Sequence, residues 1–221
     1  MRNIAAINVS PRKQGTSAML LNMLKDELEK HGDNVCILHL YSHLEEMQTI
    51  FDAVNIADTI VISGPCYTNT YPADTTKLLE KLAAQPGILH EQNLYGIIQG
   101  GMPYAHTHSS GLNMLKAFSR KAKLPYKGGF VIGMGAMLDG RHVSKLLNGK
   151  KVERQLMLFF KHIHNGDASP DSVYEASLLK MPGFAAKILM ILMNLKIRKT
   201  FAARGIDVHC PSPYLDDKIQ S

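Results

Sequence analysis

Short apolar runs alternate with stretches of helical apolar spacing over the first 133 residues. Residues 4–9, 35–40, 59–63, 94–98 and 129–133 are continuous apolar runs bounded by Gly, Pro, Asn or Ser, and they read as buried strands. Between them, Leu20, Leu21, Leu24 and Leu28 mark a first helix closed by Gly32. Ile50, Val54 and Ala57 mark a second, and Leu78, Leu79 and Leu82 a third ended by Pro86-Gly87. Leu112, Leu115, Phe118 and Ala122 mark a fourth, stopped near Pro125. Continuous apolar strands alternating with amphipathic helices predict an α/β fold with a parallel sheet covered on both faces. Beyond Gly135 the pattern changes. Residues 152–164 read as a helix and residues 164–167 as a turn, and residues 168–182 carry no clear pattern. Residues 184–201 read as a strongly apolar helix, and the tail around Pro211 and Pro213 as extended chain.

Composition narrows the class. The 221 residues are 45% hydrophobic and 20% charged, a globular balance with room for one sizeable core. Residues 141–221 read as a helical extension of the same domain that residues 1–140 build. The N-terminus runs directly into a strand, without the apolar stretch of a signal peptide. No run reaches the roughly 18 apolar residues of a membrane span. Cys36, Cys66 and Cys210 are scattered and form no Cys-x-x-Cys, which argues against a disulfide scaffold or structural zinc and for a reducing cytoplasm. The formal charge is +6. Between Glu175 and Asp207 there is no acidic residue but six basic ones, Lys180, Lys187, Lys196, Arg198, Lys199 and Arg204; without them the chain balances 19 cations against 19 anions. The excess is therefore local, which argues against a nucleic-acid-binding surface.

In an open parallel sheet, ligands bind beyond the carboxyl ends of the strands, where the strand order reverses. The loop after the first strand holds Ser10, Arg12, Gln14, Thr16 and Ser17 at a helix N-terminus. Unpaired backbone N–H groups, hydroxyls and a guanidinium there suit a phosphate. Capping alone would account for Thr16 or Ser17 but not for the cluster. The loop lacks the Gly-Lys-Ser/Thr ending of a nucleotide P-loop and the Gly-x-Gly-x-x-Gly of a dinucleotide fold. Gly133-Met134-Gly135 has two of the three glycines and reads as the flexible end of the fifth strand. A receiver domain would need a phosphorylatable Asp where Ser63-Gly64 stands. His106/His108 and His162/His164 have no further ligand at metal spacing and read as surface pairs, so no metal is expected. No residue stands out as a catalytic acid or base.

The Ser-Pro-Arg-x-x-Gly-Thr-Ser run resembles the FMN-phosphate loop of flavodoxin-like NAD(P)H-dependent FMN and quinone reductases. Two further features agree: Pro65-Cys66-Tyr67-Thr68-Asn69 with Pro72-Ala73 opening a Lys77-bearing helix, and Gly100-Gly101 before the helix that starts at Ser109. The resemblance covers residues 3–138. It implies a doubly wound five-stranded sheet of order 2-1-3-4-5 with a C-terminal helical extension, bound FMN, and hydride transfer from NAD(P)H to a quinone, flavin or other small acceptor. It further implies that Pro65, Cys66, Tyr67, Thr68, Asn69 and Gly101 frame the flavin ring, and that the protein is a homodimer. Two other readings stand beside it. One is an electron-transfer flavodoxin without its own turnover. The other is a flavin-free binding or membrane-surface module using the C-terminal helix. For that helix, a dimer seam or packing on the sheet is the expected use.

Overall fold

In the computed structural model, which describes residues 1–178 and 183–206, the five apolar runs are strands. They are β1 (Asn3–Asn8), β2 (Asn34–His39), β3 (Thr59–Pro65), β4 (Asn93–Gln99) and β5 (Tyr126–Ile132). All pair in parallel, in the order β2-β1-β3-β4-β5. This is the flavodoxin-like order. β3 is buried at every position, which explains why it reads as an unbroken apolar run. β2 is an edge strand, and its burial alternates, with Cys36 exposed. Asn8 stands in register with both His39 and Ser63, so the strands end level with one another. Because β1 is followed by β2 on one side and β3 lies on the other, a crevice opens between the loops that leave β1 and β3.

The helices are α1 (Thr16–Lys30), α2 (Gln48–Asn55), α3 (Ala73–Ala84), α4 (Ser109–Ala122), α5 (Gly149–Asn165), α6 (Ser172–Glu175) and α7 (Gly183–Ala202). Adjacent strand residues show how the sheet is covered. The Tyr95 ring meets Phe159 of α5 edge-on at 5.9 Å. A Cβ added at the next residue, Gly96, would meet Leu112 and Leu115 of α4. Successive side chains point to opposite faces, so α5 covers one face and α4 the other. The Tyr95 hydroxyl donates to the carbonyls of Asp167 (2.7 Å) and His162 (3.2 Å), which fixes the C-terminal end of α5 to β4.

Several boundaries differ from those the sequence predicts, three of them with a clear physical reason. β5 begins at Tyr126 rather than Gly129, because backbone pairing carries it through a polar start. Gly128 sits there at φ +127°, and a Cβ would lie 2.3 Å from the Ser169 carbonyl. Residues 164–167 are not a free turn: α5 runs to Asn165 and Gly166 takes the left-handed cap at φ +74°. Residues 133–138, expected as a flexible strand end, instead contain an ordered 3-10 turn, Gly135–Leu138, entered through Met134 at φ +62°. The extended tail at Pro211 and Pro213, and Cys210 with it, lie outside the described residues. The chain divides into two units, Met1–Leu179 and Lys180–Ser221, the second containing α7. Among the described residues, no helix is long and apolar enough to cross a membrane.

Candidate active site

The loop after β1 is shaped by its own side chains. Asn8 Oδ1 accepts the Ser10 N–H (3.0 Å), and Ser10 Oγ accepts the Arg12 N–H (3.2 Å), two local turns in succession. Gly15 precedes α1 and supplies no side-chain cap, and no carboxylate lies in the first helical turn. The positive end of α1 is thus left for an external anion. The Thr16 hydroxyl does not cap the helix. It donates to the Gly135 carbonyl (3.1 Å) and accepts the Gly140 N–H (3.4 Å), fastening α1 to the turn after β5. Ser17 is buried and its hydroxyl has no partner. Arg12 Nη1 reaches Asp139 Oδ1 at 2.6 Å, with both side chains mostly in solvent.

The loop after β3 is a two-residue turn. Tyr67 and Thr70 exchange backbone hydrogen bonds of 2.7 and 3.2 Å, and Thr68 and Asn69 between them have φ of +50° and +74°. Two consecutive left-handed residues make a type I′ turn, and a β-branched residue in it is strained. The loop is anchored from behind by Tyr71, whose buried hydroxyl donates to the Ile97 carbonyl at 3.0 Å. The Cys66 N–H is committed to the Gln99 carbonyl (2.7 Å) and the Tyr67 N–H to Thr70. The Asn69 N–H turns toward the Cys66 sulfur, so of the backbone donors of this turn that of Thr68 is left. The Tyr67 ring is 49% exposed and free to lie against one. Burial raises the Cys66 thiol pKa. The protonated sulfur donates to the Thr107 carbonyl at 3.3 Å, a structural arrangement rather than that of a redox thiol.

The loop after β4 meets the loop after β3. The Asn69 amide donates to the same Thr107 carbonyl (2.7 Å) and accepts from the Ser110 hydroxyl (3.3 Å). His108 is 1% exposed, which corrects its reading as a surface residue. It can be buried because Nδ1 donates to the Tyr104 carbonyl (2.9 Å) inside a 3-10 turn. Desolvation lowers its pKa, so the neutral ring is favoured. Its Nε2 is then a buried acceptor without a partner. A Cβ on Gly100 would stand 2.5 Å from that nitrogen, so only glycine lets the loop after β4 fold back on itself to this distance. His164 is likewise not a free surface residue: its Nδ1 bonds the buried Asp33 carboxylate at 2.7 Å.

Two neighbouring cavities result. Ser10, Arg12, Thr16, Pro65, Cys66, Tyr67 and Gly101 line one of about 80 Å³, together with Gln99, Gly100 and Ala136. Thr68 and Asn69 line the other, of about 460 Å³, with Cys66, Gly101, Met102 and His108. Gln14 and Ser17 line neither. The sequence reading did not include Gln99, whose buried Oε1 also lacks a partner, or Asp139, which arrives from 127 residues away. A polar residue ending the otherwise apolar β4 was the available signal for Gln99. Nothing local marked Asp139.

Comparison with known proteins decides the family. The sequence model of the NADPH-dependent FMN reductases matches residues 2–120, more than half of the chain. The chain belongs to the NADPH-dependent FMN reductase family. FMN is accordingly its cofactor, with NAD(P)H as co-substrate. No curated protein sequence matches significantly. Among solved structures, the reductase is similar to an NADH:FMN oxidoreductase in its apo form, with 18% identity over 79% of this chain and 94% of the other and a TM-score of 0.59. It is also similar to an FMN-dependent NADH-azoreductase from Bacillus anthracis in complex with FMN, with 13% identity, 75% and 99% coverage and a TM-score of 0.56. A general stress protein 14 from Treponema denticola, in complex with FMN, gives 14% identity, 74% and 98% coverage and a TM-score of 0.52. At these identities the likeness is one of fold. The reductase's own residues fit the cofactor: an uncompensated helix N-terminus beside Arg12 suits its phosphate. The unpartnered Gln99 Oε1 is an acceptor for an N–H on the edge of a polar ring.

Proposed function

We propose that the protein is an enzyme that takes hydride from NADH or NADPH and delivers it, by way of bound FMN, to a small acceptor such as a quinone or free flavin. When bound, FMN supplies the hydride chemistry, and the polypeptide supplies position and electrostatics. In this reading residues 1–140 form the FMN-binding part. Ser10, Arg12, Gln14 and the N–H groups at Thr16 and Ser17 hold the phosphate. Pro65, Cys66, Tyr67 and Gly101 frame the ring, with Gln99 bonding its edge. Thr68, Asn69, Met102 and His108 line the larger cavity, which takes the reacting partner. Its volume falls in the usual range of about 300–1,000 Å³ for small-molecule sites.

The observation that carries the proposal is the convergence of the loops after β1, β3 and β4 on adjoining cavities at the crevice between β1 and β3. Met102 and Tyr67 leave apolar surface at the rim, 55% and 49% exposed, which a planar acceptor or a second copy in a homodimer would cover. The cytoplasm is the matching compartment, where nicotinamides are reduced and the free thiols of Cys36 and Cys66 persist. The test is the absorption spectrum of the purified protein, followed by anaerobic titration with each nicotinamide and turnover with a quinone. Failure to retain flavin would refute the proposal. So would FMN-loaded protein that oxidises neither nicotinamide faster than free FMN does.

A further inference from the structure

The site described above makes no use of α7. This helix runs unbroken for 20 residues, from Gly183 to Ala202. Phe184, Ile188, Met190, Ile191, Leu192, Met193, Leu195 and Ile197 are all exposed, by 44% to 71%. At about 100° per residue they fall on every side of the helix, not along one stripe. A single flat surface of another copy would cover one stripe and leave the other sides wet. An apolar solvent covers all of them.

The charges are arranged along the axis instead of around it. Residues 188–195 contain no charged group, while Lys196, Arg198, Lys199 and Arg204 follow directly, and residues 176–206 contain no Asp or Glu. From Phe184 to Leu195 the rise is roughly 16–17 Å, about half of a ~30 Å hydrocarbon core and too short to cross it. Lys187 is the single cation within that stretch, and its stem can carry the ammonium back toward water. Two copies of such a helix side by side would bring cations together with no carboxylate on either. The remainder of the chain is formally neutral, with 19 acidic residues against 19 basic ones, so the cationic excess belongs to this segment. The complement of this segment is a surface with anionic groups above an apolar phase.

We propose that α7 seats the reductase on the surface of an anionic phospholipid membrane, its apolar side chains at the acyl boundary and its cationic C-terminal end among the headgroups. The segment is too short to span, in agreement with the absence of a crossing helix among the described residues. The test is co-sedimentation of the full-length, FMN-loaded protein with vesicles of phosphatidylglycerol and phosphatidylcholine, against vesicles of phosphatidylcholine alone. Binding is expected to the anionic vesicles, weakening with salt. Changing Lys196, Arg198 and Lys199 together to Gln is expected to lower the partition coefficient on the order of a hundredfold. Leu192→Asp with Leu195→Asp is expected to abolish binding. Unchanged flavin absorbance reports that the body stays folded in each variant. Equal binding to both vesicle types would overturn the proposal, as would no binding to either. A solution dimer that falls apart on Leu192→Asp, without vesicle binding by the parent, would assign the helix to a second copy instead.

Discussion

Arg12 cannot serve Asp139 and a phosphate equally. In the structure its guanidinium is held at 2.6 Å by the Asp139 carboxylate, across the edge of the smaller cavity. The side chains are 60% and 67% exposed, so the pair is screened and contributes about 0.2–1 kcal/mol. Binding of FMN phosphate must draw on that sum, and must also bring a dianion toward a carboxylate. Asp139→Asn removes both penalties. The expected result is FMN binding tighter by up to about fivefold, the equivalent of 1 kcal/mol, with the melting temperature of the apo protein almost unchanged. Arg12→Ala removes a charge-assisted hydrogen bond worth about 1.5–3 kcal/mol and weakens binding roughly 10- to 150-fold. In that background Asp139→Asn has no ion pair to release, so its benefit should shrink to less than about twofold. Fluorescence titration of FMN across the four proteins, at low and high salt, measures the coupling, and high salt should erase the gain. If Asp139→Asn weakens FMN binding, the carboxylate is steering Arg12 toward the phosphate and the reasoning fails. An equal gain in both backgrounds would remove the ion pair from the explanation.

Thr68→Gly relieves a β-branched residue at φ +50° and should stabilise the apo protein by about 1 kcal/mol, or some 2–4 °C in a thermal melt. No gain would mean the turn is unstrained. Tyr71→Phe deletes the buried hydrogen bond to Ile97 and should cost about 1–3 kcal/mol, read as a lower denaturant midpoint. A neutral result would detach Tyr71 from the support of the loop. His108 is buried in its neutral form, with its pKa below the ordinary value of 6.5. Its contribution to stability is therefore complete above pH 6.5 and is lost as the pH falls toward the depressed folded value. Melting curves from pH 7.5 to 5.5 should fall more steeply for the parent than for His108→Gln, and parallel curves would contradict the assignment.

The sheet was legible because its central strands are buried on both sides. Residues such as Ile60, Val61 and Ile62 carry that fact in an unbroken apolar run, and Leu20, Leu24 and Leu28 carry the helical period beside it. Legibility failed where pairing depends on backbone alone. Tyr126, Lys127 and Gly128 have no strand pattern, and they enter β5 because β4 offers a register, bulged at Leu94/Tyr95, and the Ser169 N–H bonds the Lys127 carbonyl. The histidines show a related limit. A Thr-His-Ser sequence gives no hint that His108 is buried, since its polar demand is met by a carbonyl four residues away.

The site follows the same division between local and distant causes. Ser10, Arg12 and the Pro65–Asn69 stretch could be singled out because each loop follows a recognisable strand and carries polar or conformationally unusual residues, and all of them line one of the two cavities. What their spacing could not give is the set of ties that hold the loops to one another. Thr107 carbonyl gathers Cys66 and Asn69, Gly135 carbonyl gathers Thr16, and Asp139 gathers Arg12. In each case one partner is a backbone group or a lone side chain with no motif around it. Several residues first read as ligand contacts thereby acquire a second task. Thr16 and Asn69 spend their side chains on joining loops. Side-chain truncation at Thr16 or Asn69 should then act on FMN affinity by loosening the cradle, whereas truncation at Arg12 acts through the bond itself. The two kinds of loss separate in salt: the Arg12 loss is screened, and the loop losses are not.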